Sequence, residues 1–225
     1  MSTVIVTGAS GALGSVVVSH LLSVGWTVLA VDVRFRDGKG LEAPQGVSTR
    51  EVDLTNADAT SAALKNLPAD TRGLVHLAGG IVSGKSIQDT TATDVEKMFL
   101  LNTFTFFNVA RAVLPALQRE GGSVVSIGAQ SILHPASNRS AYAASKAAVA
   151  ALTLSLAEEG RENGVRANCI LPSIIRTPAN LEWAEGNAAD AWVRPEEIAS
   201  TIAHLLDPAC NVSGSLIPMY GKVPY

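Results

Sequence analysis

Short β-branched and apolar runs alternate along the chain with longer stretches in which apolar residues recur at helical spacing. The runs fall at 3–7, 27–31, 48–52, 73–77, 122–127, 165–171 and 215–219, each with the length and the bounding turn residues of a strand. Helical patterns occupy 13–24, 57–66, 93–118, 141–162 and 195–206. Parallel neighbours need crossover helices, so this alternation predicts an α/β fold: a mostly parallel, doubly wound sheet of seven strands with helices on both faces. The link 33–46 breaks the rule, because Gly38, Gly40, Pro44 and Gly46 disfavour a helix, and a loop crossover is expected there. No linker-like stretch or internal repeat interrupts the pattern, so residues 1–225 read as one domain.

Composition narrows the partners. The chain is 47% hydrophobic and only 16% charged, which suits a sheet covered on both sides. A formal net charge of -3 supplies no basic field, so neither nucleic acid nor an anionic membrane is expected as a partner. No uninterrupted apolar run reaches the roughly 18 residues of a membrane helix. Met1 leads directly into a strand pattern with no charged region and signal core, and a cytoplasmic location is the expectation. Cys169 lies in an apolar run, and both it and Cys210 are expected to be reduced thiols. His20, His76, His134 and His204 are scattered without ligand spacing, so no metal site is read.

Glycines follow the first strand. The segment Thr7-Gly8-Ala9-Ser10-Gly11-Ala12-Leu13-Gly14 leads into a helical pattern, where a turn needs positive φ, a pyrophosphate needs close backbone approach, and a helix N-terminus offers unpaired N–H groups. The lysine and hydroxyl of a P-loop are missing, so a dinucleotide fits better than ATP. Asp32, at the end of the second strand, stands where a carboxylate can accept bonds from the adenosine ribose hydroxyls, which favours NAD over NADP. Arg34 and Arg36 offer guanidinium groups to a 2′-phosphate and keep NADP open. Asp53 either holds the adenine amino group or caps the next helix.

Tyr142 and Lys146 open the helical pattern at 141–162 and, four residues apart, share one face. An ammonium beside a phenol favours the phenolate, so Lys146 is expected to lower the Tyr142 pKa toward the range in which it exchanges a proton with a carbonyl or alcohol. Lys146 would also reach the nicotinamide ribose hydroxyls.

Together these segments resemble the short-chain dehydrogenase/reductase family. The cradle, Leu77-Ala78-Gly79-Gly80, Asn102, the stretch from Tyr142 through Ser145 to Lys146, and Pro172, Ile175 and Thr177 follow in the family's order over essentially the whole chain. The resemblance implies a single-domain Rossmann fold and an NAD(P)-dependent oxidoreductase acting on a small carbonyl or alcohol, with Tyr142 as acid/base. It further implies that Ala78 and Gly79 line the adenosine side with Gly80 beside them. Asn102 would hold a proton-relay water, and Ile175 and Thr177, after Pro172, would meet the nicotinamide carboxamide. The helices near 93–118 and 141–162 look like those through which relatives form homodimers or homotetramers.

Three departures stand out. Ala12 replaces the usual middle glycine of the cradle, with Gly11 one place earlier, and Ser173 follows Pro172 in place of glycine. Counted back from Tyr142, the family's active-site serine falls on Ala129. Ser131 and Ser126 are the nearest hydroxyls, and a register shift would bring in Ser131. One branch of the family, the dihydropteridine reductases, does without this serine. Trp26, Asp32-Val33, Ala78-Gly79-Gly80, Thr177-Pro178 with Asn180, and Trp192 before Pro195 look like that branch. NADH-dependent reduction of a quinonoid dihydropterin is therefore an alternative. From another class, a non-catalytic dinucleotide-binding sensor draws its support from the missing serine alone. The substrate pocket is expected from segments 80–85, 130–139 and 180–192, with Leu181, Trp183 and Trp192 placed to cover a flat ligand.

Overall fold

In a computed structural model, residues 2–35 and 47–223 are described. Seven strands form one sheet: β1 (Thr3–Thr7), β2 (Thr27–Asp32), β3 (Val47–Glu51), β4 (Thr71–His76), β5 (Gly122–Ile127), β6 (Val165–Pro172) and β7 (Ser215–Met219). Their order is β3-β2-β1-β4-β5-β6-β7, and every pairing is parallel. The expectation of a mostly parallel sheet is thus met in full. The order reverses between β1 and β4, and at such a switch point the loops leave the strand ends in opposite directions and open a crevice.

Period-two alternation decides which helix each strand residue meets. Val4, Val6, Val28, Ala30, Val125 and Ile170 face α1 (Ala12–Ser23) and α7 (Pro195–Leu206) through Val17, Leu21, Ile198 and Ile202. Their neighbours Ile5, Leu29, Val31, Leu74 and Val124 point the other way. There they meet α4 (Thr105–Leu117) and α5 (Ser140–Glu159) through Phe106, Val109, Val113 and Val149. Of the remaining α-helices, α2 (Ala57–Ala63) packs on α4 and α3 (Ala92–Met98) on α5, and the short α6 (Pro178–Leu181) follows β6.

Several expectations need correction. The pattern at 93–118 is not one α-helix: α3 passes through a π-helical segment, Phe99–Phe104, into α4. The helix expected to reach residue 162 stops at Glu159, where Gly160 leads to a short 3-10 turn closed by Gly164 at φ 67. The helix expected at 57–66 ends at Ala63. By length and mean hydropathy the stretches Ala92–Leu117 and Ser140–Glu159 both pass as membrane-spanning, contrary to the reading from uninterrupted runs, yet in the fold they pack on the sheet. Most of the loop crossover expected at 33–46, with Arg36, lies outside the described residues.

Candidate active site

The site grows from the carboxyl ends of the central strands. After β1 the chain turns at Gly8, at φ +65, where a Cβ would stand 2.8 Å from the Ala78 backbone nitrogen. Gly14 is packed harder still, for a Cβ there would lie 2.1 Å from the Gly8 carbonyl oxygen. Gly11 meets only that oxygen, at 3.2 Å. Gly8 and Gly14 are therefore required by the turn itself, whereas Gly11 leaves the surface bare for a ligand. Gly11 also caps α1, with no side-chain cap and no acidic residue in the first turn. The N–H groups of Ala12, Leu13 and Gly14 consequently belong to an uncapped helix start, which suits a pyrophosphate.

Beside this cradle lies a cleft of about 350 Å³ lined by Gly8, Ser10, Gly11, Asp32, Asp53 and Gly79 among others. Asp32 is held there from two sides. Ser10 donates to its Oδ2 from both the backbone nitrogen, at 2.9 Å, and Oγ, at 2.7 Å, and the Val33 N–H donates to Oδ1 at 2.7 Å. Asp53 does not cap α2; Asn56 does, accepting from the Ala59 N–H at 2.9 Å. Instead Asp53 lines the cleft, and bonds from the Thr55 hydroxyl and N–H hold its carboxyl below the usual range.

Gly79, at one end of this cleft, also adjoins the candidate catalytic cluster. Asn102, buried in the π-helical segment, receives the Gly80 N–H on Oδ1 at 3.0 Å and donates through Nδ2 to the Gly80 carbonyl and to Ser145 Oγ, both at 3.0 Å. Both Nδ2 protons are used, so a relay water would be held by the remaining Oδ1 lone pair or by the main-chain carbonyl. A Cβ on Gly79 would fall 2.5 Å from Asn102 Oδ1 and 3.3 Å from Lys146 Nζ, so only glycine lets the three meet. Lys146 Nζ donates to the Ile127 carbonyl at the end of β5, at 2.8 Å.

The electrostatics differ from expectation. Burial brings the Lys146 ammonium down to about 8, against a smaller upward pull from Cys169. Burial also raises the Tyr142 phenol above its ordinary value, and the charge drawing it back belongs to Arg139, not Lys146. Lys146 is turned toward Ile127, and desolvation outweighs the pull of Arg139 on the phenol. Behind the cluster, His76 is enclosed between Thr7 Oγ1, 2.9 Å from Nδ1, and Thr105 Oγ1, 3.4 Å from Nε2. Burial and then the Lys146 charge lower it to about 3, so it is a neutral packing residue.

The other expected residues are placed less directly. Ala129 is buried after β5 and brings no hydroxyl. Ser131 Oγ is closed off from solvent and has no hydrogen-bond partner. Ser126 is bonded to Thr153 inside the core, at 2.7 Å. Pro172 ends β6; the Ile175 carbonyl accepts from Asn180 Nδ2 at 2.8 Å, and Thr177 caps α6. Trp192 is buried against the half-exposed Trp183, ring centroids 4.9 Å apart. Sequence reasoning missed the Ser10 bonds to Asp32, the Ile127 carbonyl under Lys146, and Ser145 as the partner of Asn102. Ser145 alone carried a signal, standing inside the Tyr142–Lys146 segment.

Residues 2–188 match the short chain dehydrogenase family model. Galactitol 2-dehydrogenase of Rhizobium johnstonii is 30% identical, the match covering 95% of this chain and 91% of that protein. Dihydropteridine reductase of Dictyostelium discoideum is 28% identical over 88% of this chain and 85% of its own length. Among solved structures, an oxidoreductase of the short chain dehydrogenase/reductase family from Burkholderia thailandensis is 28% identical with a TM-score of 0.85, covering 98% of this chain and 91% of that one. ElxO with NADP bound, at 20% identity and TM-score 0.88 over 98% and 97%, shares the fold. The glycine cradle, the Tyr142–Lys146 helix and these matches together make the chain a member of the short-chain dehydrogenase/reductase family of oxidoreductases.

Proposed function

We propose that the protein transfers hydride between NAD and a small carbonyl or alcohol substrate, with Tyr142 as the acid/base. The observation that carries this reading is the meeting of Lys146, Asn102 and Gly79 where the dinucleotide cleft ends, one helical turn from Tyr142. A bound nicotinamide carries the hydride, while the protein supplies position and a proton. The cradle N–H groups hold the pyrophosphate, Asp32 the adenosine ribose, and Lys146 the nicotinamide ribose. Tyr142, kept protonated by burial, gives its proton to the forming alkoxide in the reductive direction.

NAD is favoured over NADP by charge. Two carboxylates, Asp32 and Asp53, line the cleft, and no basic side chain lines it among the described residues. A 2′-phosphate would meet repulsion there, whereas a ribose diol donates to Asp32. The exposed apolar side chains along α3, the π-helical segment and α4 support a homodimer or homotetramer, and the unpaired thiols Cys169 and Cys210 fit a reducing cytoplasm.

A second reading is favoured by position 129. With Ala129 in place of a hydroxyl and Ser131 closed off, the site lacks a second donor to a developing oxyanion. A quinonoid dihydropterin, which is reduced at a ring already conjugated to nitrogen, depends less on such a donor, and the dihydropteridine reductase relative fits this substrate. Consumption of NADH and NADPH against quinonoid dihydropterin, simple ketones and quinones separates the two readings. In either, Tyr142→Phe should lower kcat by about 10²–10⁴-fold while NADH still binds. Turnover near the wild-type value would remove Tyr142 from the role.

A further inference from the structure

We propose that Ser10 sets cofactor choice, by holding the Asp32 carboxylate in an orientation that accepts a ribose diol and refuses a 2′-phosphate. The inference rests on the placement of the adenosine ribose at Asp32 argued above. Ser10 presents two donors to a single oxygen, its N–H at 2.9 Å and its hydroxyl at 2.7 Å from Asp32 Oδ2. The Val33 N–H fixes the other oxygen at 2.7 Å. An aspartate at a strand end turns about two torsions; three short bonds to its two oxygens fix both.

The same bonds decide what Ser10 can offer a ligand. A backbone N–H and a neighbouring hydroxyl in a glycine-rich turn are the donors a phosphate uses. Here both are directed at an anion that belongs to the protein. Asp32 thus occupies the donor pair that a 2′-phosphate would need, and the Ser10 oxygen, its one proton committed, shows a ligand only lone pairs. Asp53 lines the same cleft as a second negative charge, itself fixed by Thr55 at 2.7 Å and 2.9 Å. The N–H contribution survives the exchange of serine for alanine, so the hydroxyl's share can be measured alone.

The test is equilibrium binding of NADH and of NADPH to the full chain, with KM and kcat measured for both dinucleotides. Ser10→Ala should weaken NADH about fivefold and change NADPH less than about twofold, with the loss in KM for the dinucleotide rather than in kcat. Ser10→Thr, which keeps the hydroxyl, should restore the preference. In an Asp32→Ala background, Ser10→Ala should leave the ratio of the two affinities where Asp32→Ala alone put it, because the serine acts through the carboxylate. An unchanged ratio in Ser10→Ala, equal weakening of both dinucleotides, or additive effects with Asp32→Ala would each overturn the proposal. A wild-type protein that binds NADPH more tightly than NADH would overturn the cofactor reading and this proposal with it, whereas a wild-type preference for NADH that Ser10→Ala leaves unchanged would overturn this proposal alone.

Discussion

An ammonium enclosed by protein loses the water that stabilises its charge, and Lys146 is enclosed in this way. With its pKa brought down to about 8, Lys146 is charged below that pH and neutral above it. Tyr142, shifted upward, stays protonated across the same range. In the reductive direction kcat/KM should therefore hold steady on the acid side and fall as pH rises through about 8. A guanidinium does not deprotonate in proteins, so Lys146→Arg should push the alkaline fall up by at least about one pH unit even at a lower absolute rate. Profiles between about pH 6 and 10 read this directly; an identical alkaline limb in the variant would sink the assignment. At this scale the glycines and the Tyr142–Lys146 pair are legible in sequence because a strand-to-helix turn and a helical repeat fix their surroundings locally. The sign of the Tyr142 shift is not legible, since desolvation depends on everything that covers the phenol.

Among the elements, the π-helical segment Phe99–Phe104 does the most to shape the site. Its widened turn interrupts what the hydrophobic pattern presents as one continuous helix, and Asn102 sits in the middle of it. A π-bulge shifts the hydrogen-bond ladder by one residue, so side chains on either side keep their faces while one residue is redirected. The redirected amide ties the β4 loop at Gly80 to α5 at Ser145. Asn102→Ala should leave the Gly80 N–H and carbonyl without those partners and lower stability by about 2–3 kcal/mol, read by urea unfolding, with a matching drop in kcat. If stability and kcat both stayed at wild-type values, the clamp would carry no such weight. Periodicity shows the helical stretch but not the bulge, because one extra residue in a turn barely disturbs a 3.6-residue repeat.

For the whole molecule, the helical face formed by α3, the π-helical segment and α4 leaves large apolar side chains exposed. Phe104 is 52% exposed and Phe107 47%, with Leu100 and Val95 beside them. A groove of about 230 Å³ between α4 and α5 is walled by Phe107, Leu114 and Leu152. A stable dimer buries on the order of 1,600 Å² in total, and such a helix face supplies the apolar centre that a second copy needs. The double substitution Phe104→Glu with Phe107→Glu should convert the proposed dimer to monomers in sedimentation or light scattering. A wild-type chain that sediments as a monomer at micromolar concentration would exclude this interface.

Sequence alone determined the strand and helix succession, the parallel sheet and the glycine cradle, and it singled out Tyr142 and Lys146 as the candidate acid/base pair. All of these follow from local periodicity, from the conformations glycine permits, and from the need of parallel strands for crossovers. Tertiary structure alone decided which groups meet. Ser10 reaches Asp32 because β1 and β2 run side by side in register, and Lys146 reaches Ile127 because α5 packs across the end of β5. Those contacts join residues 22 and 19 positions apart, distances over which no sequence pattern reports proximity. The same packing half-buries Tyr142, raising its phenol above the ordinary value, and closes Ser131 Oγ off from solvent, so the fold, not the motif, sets the surroundings of both hydroxyls.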